Sequence, residues 1–413
     1  MSNEAPLRTG DDRVRAIVRE IMSGTAVISV LAVVLALAIG GVLIAATDDH
    51  VRAAAPHLFT DPGGLLAAAW DAVAGAYGAL FQGAVFNPNR DGLVLQLKPI
   101  TETLTFATPL IAAGLGVALA FRVGLFNIGG QGQMLVAAAC AGWVGFTLHL
   151  PFGVHLALAL LAGLAGGALW GGLVGLLKAR TGAHEVIVTI MLNYVAFYLL
   201  SYLLRTPLLQ APGSSNPKSP PIADTAALPP LLGPQFNLTL GLVLVVAATI
   251  FTWWLLDRSA LGFRFKAVGI NPDAARVAGI DVKRVYVATM LIAGALVGLA
   301  GVTQVLGPAR AGFTSGIDAG IGFDAITVAL LGRSRPWGVL AAGTLFGAFK
   351  AGGYLMQAAE AVPIDIVLVV QSLIVLFIAA PPLVRGVFRL PDPSVGTARQ
   401  DPASPVPEKV SAL

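Results

Sequence analysis

The sequence predicts an all-α integral membrane protein with about ten transmembrane helices and both termini cytoplasmic. Three observations predict it. The 413 residues are 56% hydrophobic and only 12% charged, with mean hydropathy +0.80, whereas soluble domains carry about a quarter charged residues. Apolar runs long enough to cross a bilayer recur along the chain. Lys and Arg then gather on alternate connections.

The first run, Gly24–Ala46, is uncharged over 23 residues. A signal-peptide core is shorter, roughly 7–15 residues, so this run reads as a retained span behind a cytoplasmic segment, 1–23. Residues 24–383 then form the transmembrane domain. An outer-face region, 47–103, follows the first span. Its apolar stretch Pro62–Phe86, interrupted by Asp71, could be an eleventh crossing, but the alternation of charge along the chain favours a helix along the outer interface. Further crossings are expected at Leu104–Phe121, Met134–Leu150, Val154–Leu177, Val186–Leu204, Leu238–Leu256, Val285–Leu306, Gly338–Met356 and Pro363–Ile378. Between them, Ile321–Leu331 is short and holds Asp324. It is expected to be tilted, broken or re-entrant, with Phe313–Gly332 an interior segment, because irregular backbone at membrane depth needs protein or a cavity around it.

With the N-terminus inside, nineteen of the 26 Lys and Arg residues fall on cytoplasmic segments, as the positive-inside rule requires. An odd number of crossings spoils that pattern. Segment 206–234 holds eight prolines and reads as an outer loop. The Pro/Ser-rich tail, 384–413, is expected to be disordered. Gly167, Gly171 and Gly175 stand four apart on one predicted helix, the spacing that lets helix backbones meet closely in lipid.

The cytoplasmic loop 257–284 is the most informative. Asn271 suits an N-cap, Pro272 the first helical position, and Asp273 the positive end of the helix dipole. Ala274, Ala275, Arg276, Val277 and Ala278 continue the helix, and Gly279 suits its left-handed end. A helix of about seven residues is too short to be stable alone. Capped at both ends, it reads as a piece held for docking, with small residues leaving room for a partner and Arg276 as an anchor. An ordinary loop helix is the alternative.

This loop, from Gly269 to Gly279, resembles the coupling-helix motif of permeases of the branched-chain amino acid and simple-sugar ABC importers. Phe121–Gln133 resembles the family's signature after its second helix. Gly182–Tyr194 and Gly322–Arg333 resemble the nucleoside-permease subgroup, which includes the larger permease of purine-nucleoside importers. The resemblance covers about 104–383, in order. Gln131 stands where an acidic residue is expected. The resemblance implies a pore-forming subunit that is not an enzyme, moving nucleosides, or else simple sugars such as ribose, across a prokaryotic cytoplasmic membrane. It implies a second, smaller permease, an ABC ATPase using ATP and Mg, and an extracytoplasmic substrate-binding lipoprotein. It assigns the coupling role to Gly269, Asn271, Pro272, Ala274, Ala275, Arg276 and Gly279.

The residues add limits of their own. No Gly-Lys-Ser or Gly-Lys-Thr is present, so no P-loop cradles phosphate, and energy must come from a partner. The lone Cys140 and five unpatterned histidines suggest no metal site or bound cofactor, and no nucleic-acid motif occurs. Polar or aromatic residues at depth are the pathway candidates: Phe126, Asn127, Gln131, Gln133, Thr189, Asn193, Gln304, Phe323 and Asp324. Each has a structural alternative. Thr189 and Asn193, four apart, could serve interhelical hydrogen bonds, and the aromatics could pack in the core. Asp324 calls for a partner, with Lys350 available. Glu102, Asp324 and Lys350 could instead serve an ion-coupled transporter.

Overall fold

The computed structural model describes residues 25–233 and 235–389. The expected cytoplasmic segment 1–23 and most of the expected tail lie outside the described residues. Two compact units divide the chain, Met1–Val42 with Val369–Leu413, and Leu43–Leu368.

Among the described residues all regular structure is helical. The first unit takes in most of α1 (Thr25–Thr47) and α15 (Ile364–Ala379), and all of α16 (Pro381–Phe388). The helix α16 corrects the reading of 384–388 as disordered tail. Pro381 and Pro382 fit its first turn, and Val384 is fully buried.

The second unit begins with a short helix, α2 (Asp49–Ala54), and continues through α3 (Pro62–Ala84), α4 (Leu93–Gln96) and α5 (Lys98–Arg122). Next come α6 (Gly130–Thr147), α7 (Val154–Thr181), α8 (Glu185–Leu203), α9 (Gly241–Arg258), α10 (Ala260–Ile270) and α11 (Pro272–Val277). The last members are α12 (Val282–Val305), α13 (Ile321–Leu331) and α14 (Pro336–Glu360).

Among the described residues eight spans are long and apolar enough to cross a bilayer: α1, α3, α4 with α5, α7, α8, α9, α12 and α14. The pair α15 and α16, bent by 92° between them, makes up to nine. Expected crossings at 134–150 and 321–331 appear as α6 and the shorter α13. The stretch expected to lie along the interface is the 23-residue α3 and passes the same test. Asp71 does not interrupt it, because its side is exposed. Asp61 caps its first turn by accepting from the Gly64 N–H at 3.0 Å.

At the centre of the second unit stands α5, buried along most of its length. It runs antiparallel to α14, whose Gly343 and Gly347 press against Ile111 and the Thr103–Ala107 backbone. Beside it, α7 and α12 cross closely on glycine, with the Val302, Leu291 and Met290 side chains packed on flanking glycines. Gly167 faces Gly294 and Gly298, and Gly171 faces Met290 and Gly294, backbone against backbone. The spacing read from the sequence therefore serves packing.

After α12 the chain runs irregularly from Leu306 to Gly320 before α13. The Pro-rich segment seals this stretch. Leu228 donates to the Leu306 carbonyl at 2.8 Å, Ile222 to Arg310 at 2.8 Å, and Ser219 to Phe313 at 3.0 Å. Leu209, Ile222, Ala226 and Leu228 are buried, so part of 206–234 packs as a cap rather than hanging as a loop.

Candidate coupling site and translocation pathway

The candidate coupling segment folds as its local sequence dictates. The Asn271 side chain accepts from the N–H groups of Asp273 at 2.9 Å and Ala274 at 3.0 Å. At the far end Gly279 takes φ +84°. Ile280 donates to Ala275 O and Gly279 to Arg276 O, both at 3.0 Å, the paired bonds of a Schellman end. Arg276 pairs with Asp273 at 2.8 Å, exposed to solvent.

The segment is tied to the bundle. Phe265 and Val268 bury one face of α10. Gly269 lies on the Arg122 carbonyl at the end of α5, so closely that a side chain there would collide with it. Arg122 in turn donates to Ser334 O at 2.9 Å, ahead of α14. One face of α11 borders a cleft of about 790 Å³ beside Lys178, Arg180 and Lys283.

One sequence expectation is corrected. Ala275 is only 4% exposed, so it packs inward and leaves no room for a partner. The outward face carries Ala274, Ala278 and Val277, the last 90% exposed, and Ile270 ahead of the cap is 86% exposed. These two aliphatic residues were missed. Their only sequence signal is that each is an apolar residue close to one end of the capped segment.

Four of the pathway candidates form a closed knot. Asn127 and Gln133 exchange amide hydrogen bonds at 3.2 and 3.1 Å. Gly129 donates to Asn127 Oδ1 at 3.0 Å. Asn193 on α8 reaches across, accepting from Gly132 N–H and donating to Ile128 O, both at 2.9 Å. Thr189 returns its hydroxyl to Glu185 O at 2.8 Å and packs on Gly129. All four side chains are buried, so they satisfy the broken backbone between α5 and α6 rather than line an opening.

A second polar group sits beside it. Gly322 abuts the backbone at Gly130 and Gln131, bringing the start of α13 against the start of α6. The Gln131 side chain lies beside the buried Asp318 carboxylate, with Lys350 also nearby. Lys350 itself grips Asp324 at 2.7 Å. Gln304 is half-buried on the last turn of α12.

The exposed candidates are aromatic. Phe126 packs its ring on Phe121 at 5.1 Å, and Phe323 stands on the outside of α13. The exposed face of α8 carries an aromatic column that sequence reasoning missed. Tyr194, Tyr198 and Tyr202, four apart, all lie on its exposed face, with Ile187 and Met191 below. The face opposite carries Glu185, Thr189 and Asn193, buried. Polarity is therefore inverted, with amide and hydroxyl groups inside and the aromatic column outside.

The family model for the branched-chain amino acid transport system permease component matches residues 100–379, which hold nearly all of α5, every helix from α6 to α15, and both of these sites. The chain belongs to this family of ABC permeases. The guanosine ABC transporter permease NupP of Bacillus subtilis is 38% identical over 76% of this chain and 88% of its own. The glucose ABC transporter permease TsgB13 of Haloferax volcanii is 36% identical over 86% of each chain. The nucleoside ABC transporter permease NupB of Lactococcus lactis is 34% identical over 68% of this chain and 79% of its own. No solved structure matches the permease at a significant level. The matched span begins just inside α5, so α3 lies ahead of the part of the permease that the family shares.

Proposed function

We propose that this permease forms half of the translocation pore of an ATP-driven importer that carries nucleosides inward across a prokaryotic cytoplasmic membrane. The observation that carries the reading is α11. It is capped at both ends, anchored through Gly269 to α5, and presents Val277 to solvent. An exposed valine on this six-residue helix and an exposed isoleucine, Ile270, at the end of α10 just before it suit an apolar groove on another protein. An ABC ATPase using ATP and Mg is that partner. A second permease completes the pore, and an extracytoplasmic lipoprotein delivers the cargo.

The cargo passes along the tyrosine column of α8. Tyr194 lies about 14 Å from the start of α8, near mid-membrane. A phenol hydroxyl facing hydrocarbon there lacks a partner, whereas a watery pathway supplies one. Nucleosides are supported by the likeness to NupP and NupB. The likeness to TsgB13 keeps a simple sugar as the second reading. An ion-coupled mechanism is not supported, because Asp324 is already paired with Lys350.

The test is uptake of labelled guanosine, adenosine, ribose and glucose into cells holding the complete transporter, with and without an uncoupler under conditions that preserve ATP. Guanosine uptake that survives the uncoupler is expected. Uptake abolished by it overturns ATP coupling, and uptake of sugars alone overturns the nucleoside cargo.

A further inference from the structure

A cavity of about 400 Å³ opens at the opposite end of α5 from the coupling segment. Lys98 and Arg122 are the first and last of the 25 residues of α5, about 36 Å apart at 1.5 Å per residue. If α11 meets an ATPase inside, this cavity faces the side from which cargo arrives.

Its wall is built from one face of α5. Lys98, Glu102 and Phe106 stand four apart, so they line up one above another. The result is a cation, a carboxylate and a ring in order. Glu102 is held in place by Asn237, whose amide donates to both carboxylate oxygens at 3.2 and 3.3 Å. Phe106 stacks on Tyr354 of α14, with centroids 5.5 Å apart and planes at 27°. Gln82 of α3 and Arg90 close the rim. Among the described residues neither Lys98 nor Arg90 has an ion-pair partner.

The volume lies within the range of small-molecule pockets, about 300–1,000 Å³. The chemistry is mixed in a particular order. An aromatic shelf offers stacking to a flat ring. A fixed carboxylate accepts N–H bonds, and a cation one helical turn away donates. Guanine and hypoxanthine present this complement, an N–H donor beside the O6 acceptor. Adenine presents the reverse order, an acceptor nitrogen beside an amino donor, and leaves the carboxylate without an N–H at that place.

We propose that this cavity is a reception subsite for 6-oxopurine nucleosides, in which the ring lies on the Phe106–Tyr354 shelf, Glu102 accepts from the base and Lys98 donates to its O6. The proposal rests on the nucleoside reading above and adds a base preference. Gln82 and Arg90 are left for the sugar hydroxyls.

The experiment compares inosine, guanosine and adenosine uptake by the complete transporter in proteoliposomes, for the wild type and for Glu102→Gln, Tyr354→Leu and Tyr354→Phe. Glu102→Gln is expected to slow guanosine and inosine about tenfold, the loss of one charge-assisted hydrogen bond, and adenosine much less. Tyr354→Leu is expected to slow all three, and Tyr354→Phe, which keeps the ring, to restore them. Light-activated 8-azidoguanosine should label the Tyr354 region, with protection by inosine. An equal loss for every nucleoside in Glu102→Gln means a structural role and overturns the subsite. So does unchanged transport in both Glu102→Gln and Tyr354→Leu, or labelling confined to other segments. If the wild type carries no nucleoside at all, the cargo reading falls and takes the subsite with it. If it carries guanosine and ignores the substitutions, the subsite alone falls.

Discussion

Asp324 on α13 and Lys350 on α14 hold each other at 2.7 Å, with 24% and 16% of their side chains exposed. Neither charge is tolerable in that place alone. Lys350→Met should therefore destabilise the protein by about 2–3 kcal/mol, somewhat less than a fully buried pair would lose. Asp324→Asn added to Lys350→Met should recover most of the loss. Thermal unfolding in detergent reads both. A double variant no more stable than the single one would show that the pair does not act as a unit.

The outward face of α11 makes a separate prediction. Val277→Asp should leave folding and membrane insertion intact while weakening co-purification of the ATPase at least about tenfold, since it puts a charge where an apolar contact forms. Ala275→Arg should behave differently. Its side chain meets the interior, so the variant should misfold and fail to accumulate. Gly279→Pro should also loosen the segment, because proline cannot adopt φ +84° or supply the N–H given to Arg276. Full ATPase capture by Val277→Asp would remove α11 from the docking surface.

The Gln131 amide lies beside the Asp318 carboxylate. Gln131→Glu would set two carboxylates together, and like charges at that spacing cannot both ionise cheaply. Uptake should fall at pH 8 and return as the pH is lowered, when the two share a proton. A pH profile identical to that of the wild type would mean that the two side chains do not meet.

The tyrosine column can be probed from water. With Cys140 replaced by Ala, Tyr194→Cys, Tyr198→Cys and Tyr202→Cys should each react with a charged methanethiosulfonate reagent, and cargo should slow the reaction. Ile250→Cys, on the exposed face of α9, serves as the comparison and should stay unreactive. Three inert tyrosine positions would place the column against lipid or a partner subunit.

Much of this was legible in the sequence where the cause is local. Asn271, Pro272 and Gly279 announce the ends of α11 because caps depend on a few adjacent residues. Gly167 and Gly171 announce a close crossing because only their spacing matters. What escaped depends on the far side of a contact. A six-residue helix is too short to show which face repeats, so Ala275 and Val277 could not be sorted into buried and exposed. Thr189 and Asn193 shared a face, as their spacing said. That this face looks inward follows from Ile128, Gly129 and Gly132, whose unpaired backbone groups no pattern advertises. The stretch 62–86 reads as interfacial because an extra crossing upsets the alternation of charge along the chain, and Asp71 adds to that reading. One charge in an apolar run reads as an interruption until the helix is seen to have an exposed side for it.

The glycine crossing of α7 and α12 has a mechanical meaning. Side chains between two helices act as a cushion that can shear. Between Gly167 and Gly171 on one helix and Gly294 and Gly298 on the other there is no such cushion, only backbone on backbone. Neither helix can slide without lifting off the other. The pair behaves as a girder, and α12 joins α11 through a short turn capped by Asp281. On the coupling role proposed for α11, a movement imposed at Val277 is passed along α12. It is delivered at Leu306, where the regular helix gives out and the sealed irregular stretch begins.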